Sequence, residues 1–275
     1  MKEGSEFNMK VILSRKGFDS ENGKTPSPIM PDGTLLSMPI PSDDNDRYED
    51  LAYNDHTYKE ILSDLKPDID YSTCHLDPDL SLELRKKKPK NWSPAYGQIN
   101  QSQNYLKDTA HVDAGDLFLF FGSFHRVKEI GGRFRYVRNS GDFFSDNDIH
   151  IVFGYMQIGR IISDSKEAAK YEWHPHSYPE RRANPTNTIY VPTETLSFRH
   201  NMPGSGLFIY ADKRILTLNG CTKATWKENA VYMPDAIIGT RKNSAKGPGV
   251  YYSGIWQELA LQETKDAEKW AKSLF

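Results

Sequence analysis

Two apolar runs, separated by a basic stretch, constrain this fold more than any other feature of the chain. The first is Leu117-Phe118-Leu119-Phe120-Phe121-Gly122. The second is Ile149-His150-Ile151-Val152-Phe153-Gly154-Tyr155-Met156-Gln157-Ile158-Gly159-Arg160-Ile161-Ile162. Short runs of β-branched and aromatic residues bounded by turn residues are buried strands. Glycines inside a strand mark a bend, a bulge, or the close approach of a ligand or another backbone. The pair therefore predicts a small curved sheet with a pocket. Between the runs lie Arg126, Lys128, Arg133, Arg135 and Arg138 around Gly131-Gly132. Arg133 and Arg135 alternate with Phe134 and Tyr136, which predicts a hairpin arm with one charged face. Such a face either tracks a phosphate backbone or is simply solvated.

Further strands are expected at 9–14, 34–37, 188–191, 206–210, 214–218 and 258–262, with a hairpin joining 206–210 to 214–218. Segment 69–75 is strand or extended chain. Helical spacing appears at 58–65, and at 265–274, where Ala267, Trp270, Ala271 and Leu274 share a face behind a Thr264 N-cap. Segment 98–108 is compatible with helix. Strands come in runs and helices are few, so the expected class is α+β: a mixed, mostly antiparallel curved sheet with a few flanking helices. There is no βαβαβ alternation and no GxGxxG after a strand, which excludes a dinucleotide-binding fold.

The chain has 275 residues and carries 15 Tyr and 13 Phe, enough apolar surface for a folded core. Residues 9–275 are expected to form one domain, with a division into 9–112 and a β-rich 113–275 as the alternative. Residues 1–8 include Gly4-Ser5-Glu6-Phe7, a product of adjacent cloning sites, and are set aside as a vector-derived scar. A net charge of -2 excludes a globally basic surface, so any nucleic-acid contact is local. Cys74 and Cys221 lie far apart and form no metal or disulfide pattern, which suits reduced thiols in a cytoplasmic protein. No run of ~18 apolar residues predicts a membrane span.

Candidate chemistry begins where the first strand ends, at Arg15, Lys16, Asp19 and Ser20, with Asp32 further on. An arginine forks onto phosphate, a lysine adds a point charge, and loop amides cradle an anion. Asp19 is a candidate general base or sugar contact; its plain alternative is a turn cap. His75 and Asp77, with His111 and Asp113, form two His-x-Asp pairs suited to acid/base work or substrate contact. Neither pair has zinc-site spacing, so no metal is expected. In His174-Pro175-His176 an extended backbone places the two rings on opposite sides, which favours a packing role. Gln98 and Gln157 carry amides able to read a base edge. The sequence names no cofactor.

These residues resemble a family. The stretch from Met9-Lys10-Val11-Ile12-Leu13-Ser14-Arg15-Lys16-Gly17-Phe18-Asp19-Ser20 through Pro26-Ser27-Pro28-Ile29, Asp32-Gly33 and Met38-Pro39-Ile40-Pro41 is similar to the start of the nucleotide-modification-associated domain family, third type, of bacteria and phage. His75-Leu76-Asp77-Pro78, Gly97-Gln98, Gly115-Asp116-Leu117-Phe118-Leu119-Phe120-Phe121-Gly122, Phe153-Gly154-Tyr155-Met156-Gln157-Ile158-Gly159 and His174-Pro175-His176 continue the resemblance over nearly the whole chain. It departs at Trp256-Gln257-Glu258-Leu259-Ala260-Leu261, where a more hydrophobic strand is expected. The resemblance implies a role beside DNA-base or nucleotide modification and settles no reaction. A weaker similarity, over about a third of the chain, is to PUA-like barrels that bind modified bases.

The leading expectation is a cytoplasmic protein that recognises a nucleotide or a modified base in nucleic acid, with no membrane association. Arg15 and Lys16 hold phosphate. Asp19, His75, Asp77 or His111 contacts sugar or moves a proton, and Gln98 and Gln157 read the base. A transferase or glycosidase acting on a nucleotide or nucleotide-sugar is one alternative, and a non-catalytic interaction module is another.

Overall fold

In the computed structural model, which describes residues 9–245 and 247–275, the two apolar runs lie side by side as the centre of a strongly curled mixed sheet. The strands that matter for the site are β1 (Val11–Arg15), β2 (Ser27–Ile29), β3 (Ile40–Arg47), β4 (Thr73–His75), β5 (Tyr96–Gln98), β6 (Leu117–Ile130), β7 (Arg133–Tyr136), β8 (Ile149–Ile162), β9 (Thr188–Pro192), β10 (Ser205–Leu207) and β11 (Glu258–Ala260). The main sheet runs β11-β1-β6-β8-β9-β5, with β2 and β7 on β6 and β10 on β8. β1 and β2 pair with β6 in parallel, and the other pairs of this sheet are antiparallel. Strands from both sides of residue 112 share it. The fold is α+β.

Sequence alternation explains why the central strands are buried on both faces. Val11, Leu13, Leu117, Leu119 and Phe121 point to one core, with Trp226, Tyr252, Leu259 and the buried side of helix Lys265–Ser273. Ile12, Phe118 and Phe120 point to the opposite core, with Tyr96, Tyr105, Leu106 and Tyr190. A period of two with apolar residues at every position fills two layers instead of one. The close-packed layers leave no room for a side chain at Gly122: an added Cβ would stand 2.6 Å from the Lys16 carbonyl oxygen. A third apolar cluster, around Tyr48, Tyr58 and Ile61, seats helix Tyr58–Leu65.

Several expectations shift. β6 continues past Gly122 and returns through Gly131-Gly132, both with positive φ, into β7. That two-residue, doubly left-handed turn matches the twist of a hairpin. Segment 214–218 is not a strand of a hairpin. Asp212–Arg214 is a single 3-10 turn, and Arg214 donates to the carbonyls of Ile209 and Leu274, so the chain wraps the guanidinium. Residues 34–37 give isolated bridges, and the strand lies instead at Ser27–Ile29 on the sheet edge, a place that tolerates Pro28. Among the described residues no helix is long and apolar enough to cross a membrane. The scar assigned to residues 1–8 lies outside the described residues.

Candidate functional site

The chain leaving β1 forms one wall of a cavity of about 640 Å³. Arg15, Lys16, Asp19 and Asn22 line this wall. His75, Asp77, His176 and Arg181 line a second, and the segment Gly97–Ser102 with Gln257 closes the rim. The volume falls in the range of small-ligand pockets. Three cations (Arg15, Lys16, Arg181) and two carboxylates (Asp19, Asp77) face it.

Each cation is oriented by a carboxylate. Arg15 Nη1 donates to Asp19 Oδ2 at 2.9 Å, while Asp19 Oδ1 accepts from the backbone N–H groups of Glu21 and Asn22. Asp19 thus caps its own turn and aims Arg15; its oxygens are engaged in these bonds. Lys16 Nζ lies 3.2 Å from Glu258 Oε1 and 4.6 Å from the Tyr96 ring centre. Arg181 Nη2 donates to both oxygens of Asp44 at 2.9 Å, and its Nη1 lies 3.2 Å from His75 Nδ1.

Glu258 is fully buried at the start of β11. Its Oε1 accepts from Ser14, Tyr96, Gln98 and Lys16 at 2.8–3.2 Å. A buried carboxylate is tolerable only with such partners. Tyr96 is pushed well above the usual phenol range, first by burial and then by the Glu258 charge. This network ties β1, β5 and β11 together beneath the cavity.

The second wall is a cluster of imidazoles around Asp77. Asp77 Oδ1 accepts the Gly97 N–H at 2.7 Å and sits 3.2 Å from His174 Nε2. Oδ2 faces His75 Nε2 at 3.7 Å and His176 Nε2 at 4.0 Å. His174-Pro175-His176 is not extended. Pro175–Ser177 is a 3-10 turn in which the His174 ring accepts the His176 N–H at 3.3 Å, so both rings reach Asp77 instead of diverging. Gly97 is required beside them: a Cβ there would meet the His176 ring at 2.2 Å. Burial would raise the Asp77 pKa, but His174 and His75 outweigh it and hold the carboxyl well below its ordinary value. Burial opposes the His75 imidazolium, yet the bond to Asp44 and the nearby Asp77 charge lift its pKa. His176 is pushed down to about 3, chiefly by burial. The donor atoms of His75, Asp77 and His176 lie within 4.8 Å of one another, the one group of this kind among the described residues able to hold a metal ion.

The structure brings six of the expected site residues to this cavity: Arg15, Lys16, Asp19, His75, Asp77 and Gln98. Gln98 presents little to a ligand, since its Nε2 donates to the Tyr96 hydroxyl and Glu258 Oε1 and its Oε1 accepts the Ile99 N–H. Ser20 is exposed on the turn beyond Asp19. Asp32 is exposed and accepts the Thr34 N–H. His111 gives its carbonyl to Lys10, before the opposite end of β1, about 16 Å of strand from Arg15. Gln157 is buried in bonds to Gly115 and Ser197. These four do not line the cavity. Residue reading missed Arg181, Asp44, Gln101 and the buried Glu258. A usable signal was present for the last, an acid opening an otherwise apolar strand.

The fold and cavity define an α+β protein with a deep polar site built from both ends of its sequence. The chain belongs to the nucleotide modification associated domain 3 family, whose model matches residues 10–270. No curated protein and no solved structure matches it. Membership gives the protein a nucleotide-modification-related role.

Proposed function

We propose that the cavity receives a nucleotide, either free or as a modified base in nucleic acid. The observation that carries this reading is the placement of Arg15, Lys16 and Arg181 around one ligand-sized cavity whose rim is formed by Asn100, Gln101, Ser102 and Gln257. Pre-oriented guanidinium groups bind phosphate through paired charge-assisted bonds. Amides both donate and accept, as recognition of a base edge requires. Gln101 and Gln257 take the base-reading role first assigned to Gln98 and Gln157, whose side chains are held in the protein. Asp77 and His75 then lie beside the ligand as the groups for proton transfer or sugar contact. Family membership supports the substrate class.

Calorimetric titration with nucleoside monophosphates, and with oligonucleotides bearing plain or modified bases, tests the reading. At least one class is expected to bind, more weakly at higher salt. Arg15→Ala and Arg181→Ala are each expected to weaken binding about 10- to 100-fold, the range for losing a charged hydrogen bond of about 1.5–3 kcal/mol. Absence of binding to every class, or unchanged affinity in both variants, would refute it.

A further inference from the structure

We propose that His75 Nε2, Asp77 Oδ2 and His176 Nε2 hold a divalent first-row transition ion whose open coordination positions face the cavity. The hydrogen bonds behind these three groups fix which atoms are free. Asn187 Nδ2 donates to the His176 carbonyl at 2.9 Å, which sets the amide orientation and leaves Asn187 Oδ1 to accept from His176 Nδ1 at 2.7 Å. His176 therefore carries its proton on Nδ1 and turns an Nε2 lone pair forward. His75 Nδ1 has two neighbours, Asp44 Oδ2 at 2.7 Å and Arg181 Nη1 at 3.2 Å; the shorter contact is to a carboxylate, which only accepts, so Nδ1 carries the proton and His75 also turns Nε2 forward. Asp77 Oδ1 is held by the Gly97 N–H and faces His174, which leaves Oδ2. Two ring lone pairs and an anionic oxygen thus converge, with Nε2 to Oδ2 separations of 3.7 and 4.0 Å.

A carboxylate or amide behind each imidazole is the arrangement that fixes tautomer and aim in metal sites. Donors sharing an ion through bonds of about 2.1 Å lie about 3–3.4 Å apart. The two contacts to Asp77 need closure of under about 1 Å, and the three donor atoms, all within 4.8 Å of one another, need at most about 1.4–1.8 Å between any pair. Two imidazoles with one carboxylate select a transition ion over magnesium or calcium. Three protein donors, all lining the cavity, leave positions for water or ligand. His174, 0% exposed, stands behind the carboxylate with Nε2 3.2 Å from Oδ1, and so keeps Oδ2 as the oxygen turned to the two imidazoles. The inference rests on these distances and not on nucleotide binding.

Chelator-stripped full-length protein titrated with Co²⁺ tests it. A d–d absorption saturating at one equivalent is expected, and Zn²⁺ should displace it. Asp77→Asn and His176→Gln are expected to lose at least 100-fold in affinity, while His200→Ala, at an exposed histidine outside the cavity, keeps it. Should the site variants fail to fold, ¹⁵N imidazole spectra of the unsubstituted protein give the answer: Zn²⁺ should shift Nε2 of His75 and His176 and leave His200 unmoved. No stoichiometric binding, wild-type affinity in both site variants, or Zn²⁺ shifts confined to other histidines would overturn the proposal. Nucleotide titration in chelator is read separately, so failure of either idea leaves the other standing.

Discussion

Trp226 donates its indole N–H to His150 Nδ1 at 3.0 Å, deep beside Phe121 and Tyr252. Burial above all, with the Lys223 and Arg15 charges, pushes the His150 pKa down to about 3 against a smaller pull from Asp148. An unfolded histidine titrates near 6.5. Below that pH the unfolded chain takes up a proton that the native protein refuses, so stability falls with pH across the window from about 6.5 to about 3. At pH 5 the cost is about 2 kcal/mol for this one group. His150→Asn keeps an acceptor for Trp226 and removes the titration. Denaturant unfolding at pH 7 and pH 5 should show a smaller loss in the variant by roughly that amount; equal losses would exclude His150 as a source of acid sensitivity. His176 acts in the same direction but is common to both proteins and cancels. At this scale the sequence displayed the residue types but not their neighbours, and a histidine within an apolar strand announced burial without naming Trp226.

Elements followed local pattern wherever the pattern was closed by local chemistry. Helix Tyr58–Leu65 has the bounds its spacing predicts, and Thr57 with Glu60 forms a capping box at its start. The terminal helix starts behind Thr264, whose hydroxyl accepts the Ala267 N–H at 3.1 Å. Thr264→Ala should therefore cost about 1 kcal/mol in chemical denaturation, whereas Thr264→Ser should cost far less. Identical stability of the two variants would show that packing of Ala267, Ala271 and Leu274 alone holds the helix. Segment 214–218 went the other way. Its apolar alternation is that of a strand, but Arg214 finds two backbone carbonyls, Ile209 five residues upstream and Leu274 at the far end of the chain, and those bonds go with a 3-10 turn in place of hairpin pairing. Propensity yields where tertiary partners satisfy the backbone better.

On the scale of the molecule, the cavity joins the exit of the first strand, the Asp77 segment, the Gly97–Ser102 rim, the His174–Ser177 turn and the start of the last strand. A ligand that binds only when these are assembled stabilises the whole fold. Nucleotide at 100 times its dissociation constant should raise unfolding free energy by about 2.7 kcal/mol, seen as an upward shift of the thermal midpoint. A midpoint unmoved by any ligand that calorimetry shows to bind would place binding outside the cooperative unit. By itself the sequence determined the fold class, the two central strands, the hairpin arm and both longer helices, because periodicity and caps act over a few residues. It also marked Arg15, Lys16, His75 and Asp77 as chemically rich. Only the tertiary structure decided that Glu258 anchors Lys16 from 242 residues away, that the rings of His174 and His176 turn to the same carboxylate, and that His111 and Gln157 belong elsewhere. Those outcomes depend on sheet order and on which buried charge finds which partner, and neither is encoded in any local stretch of the chain.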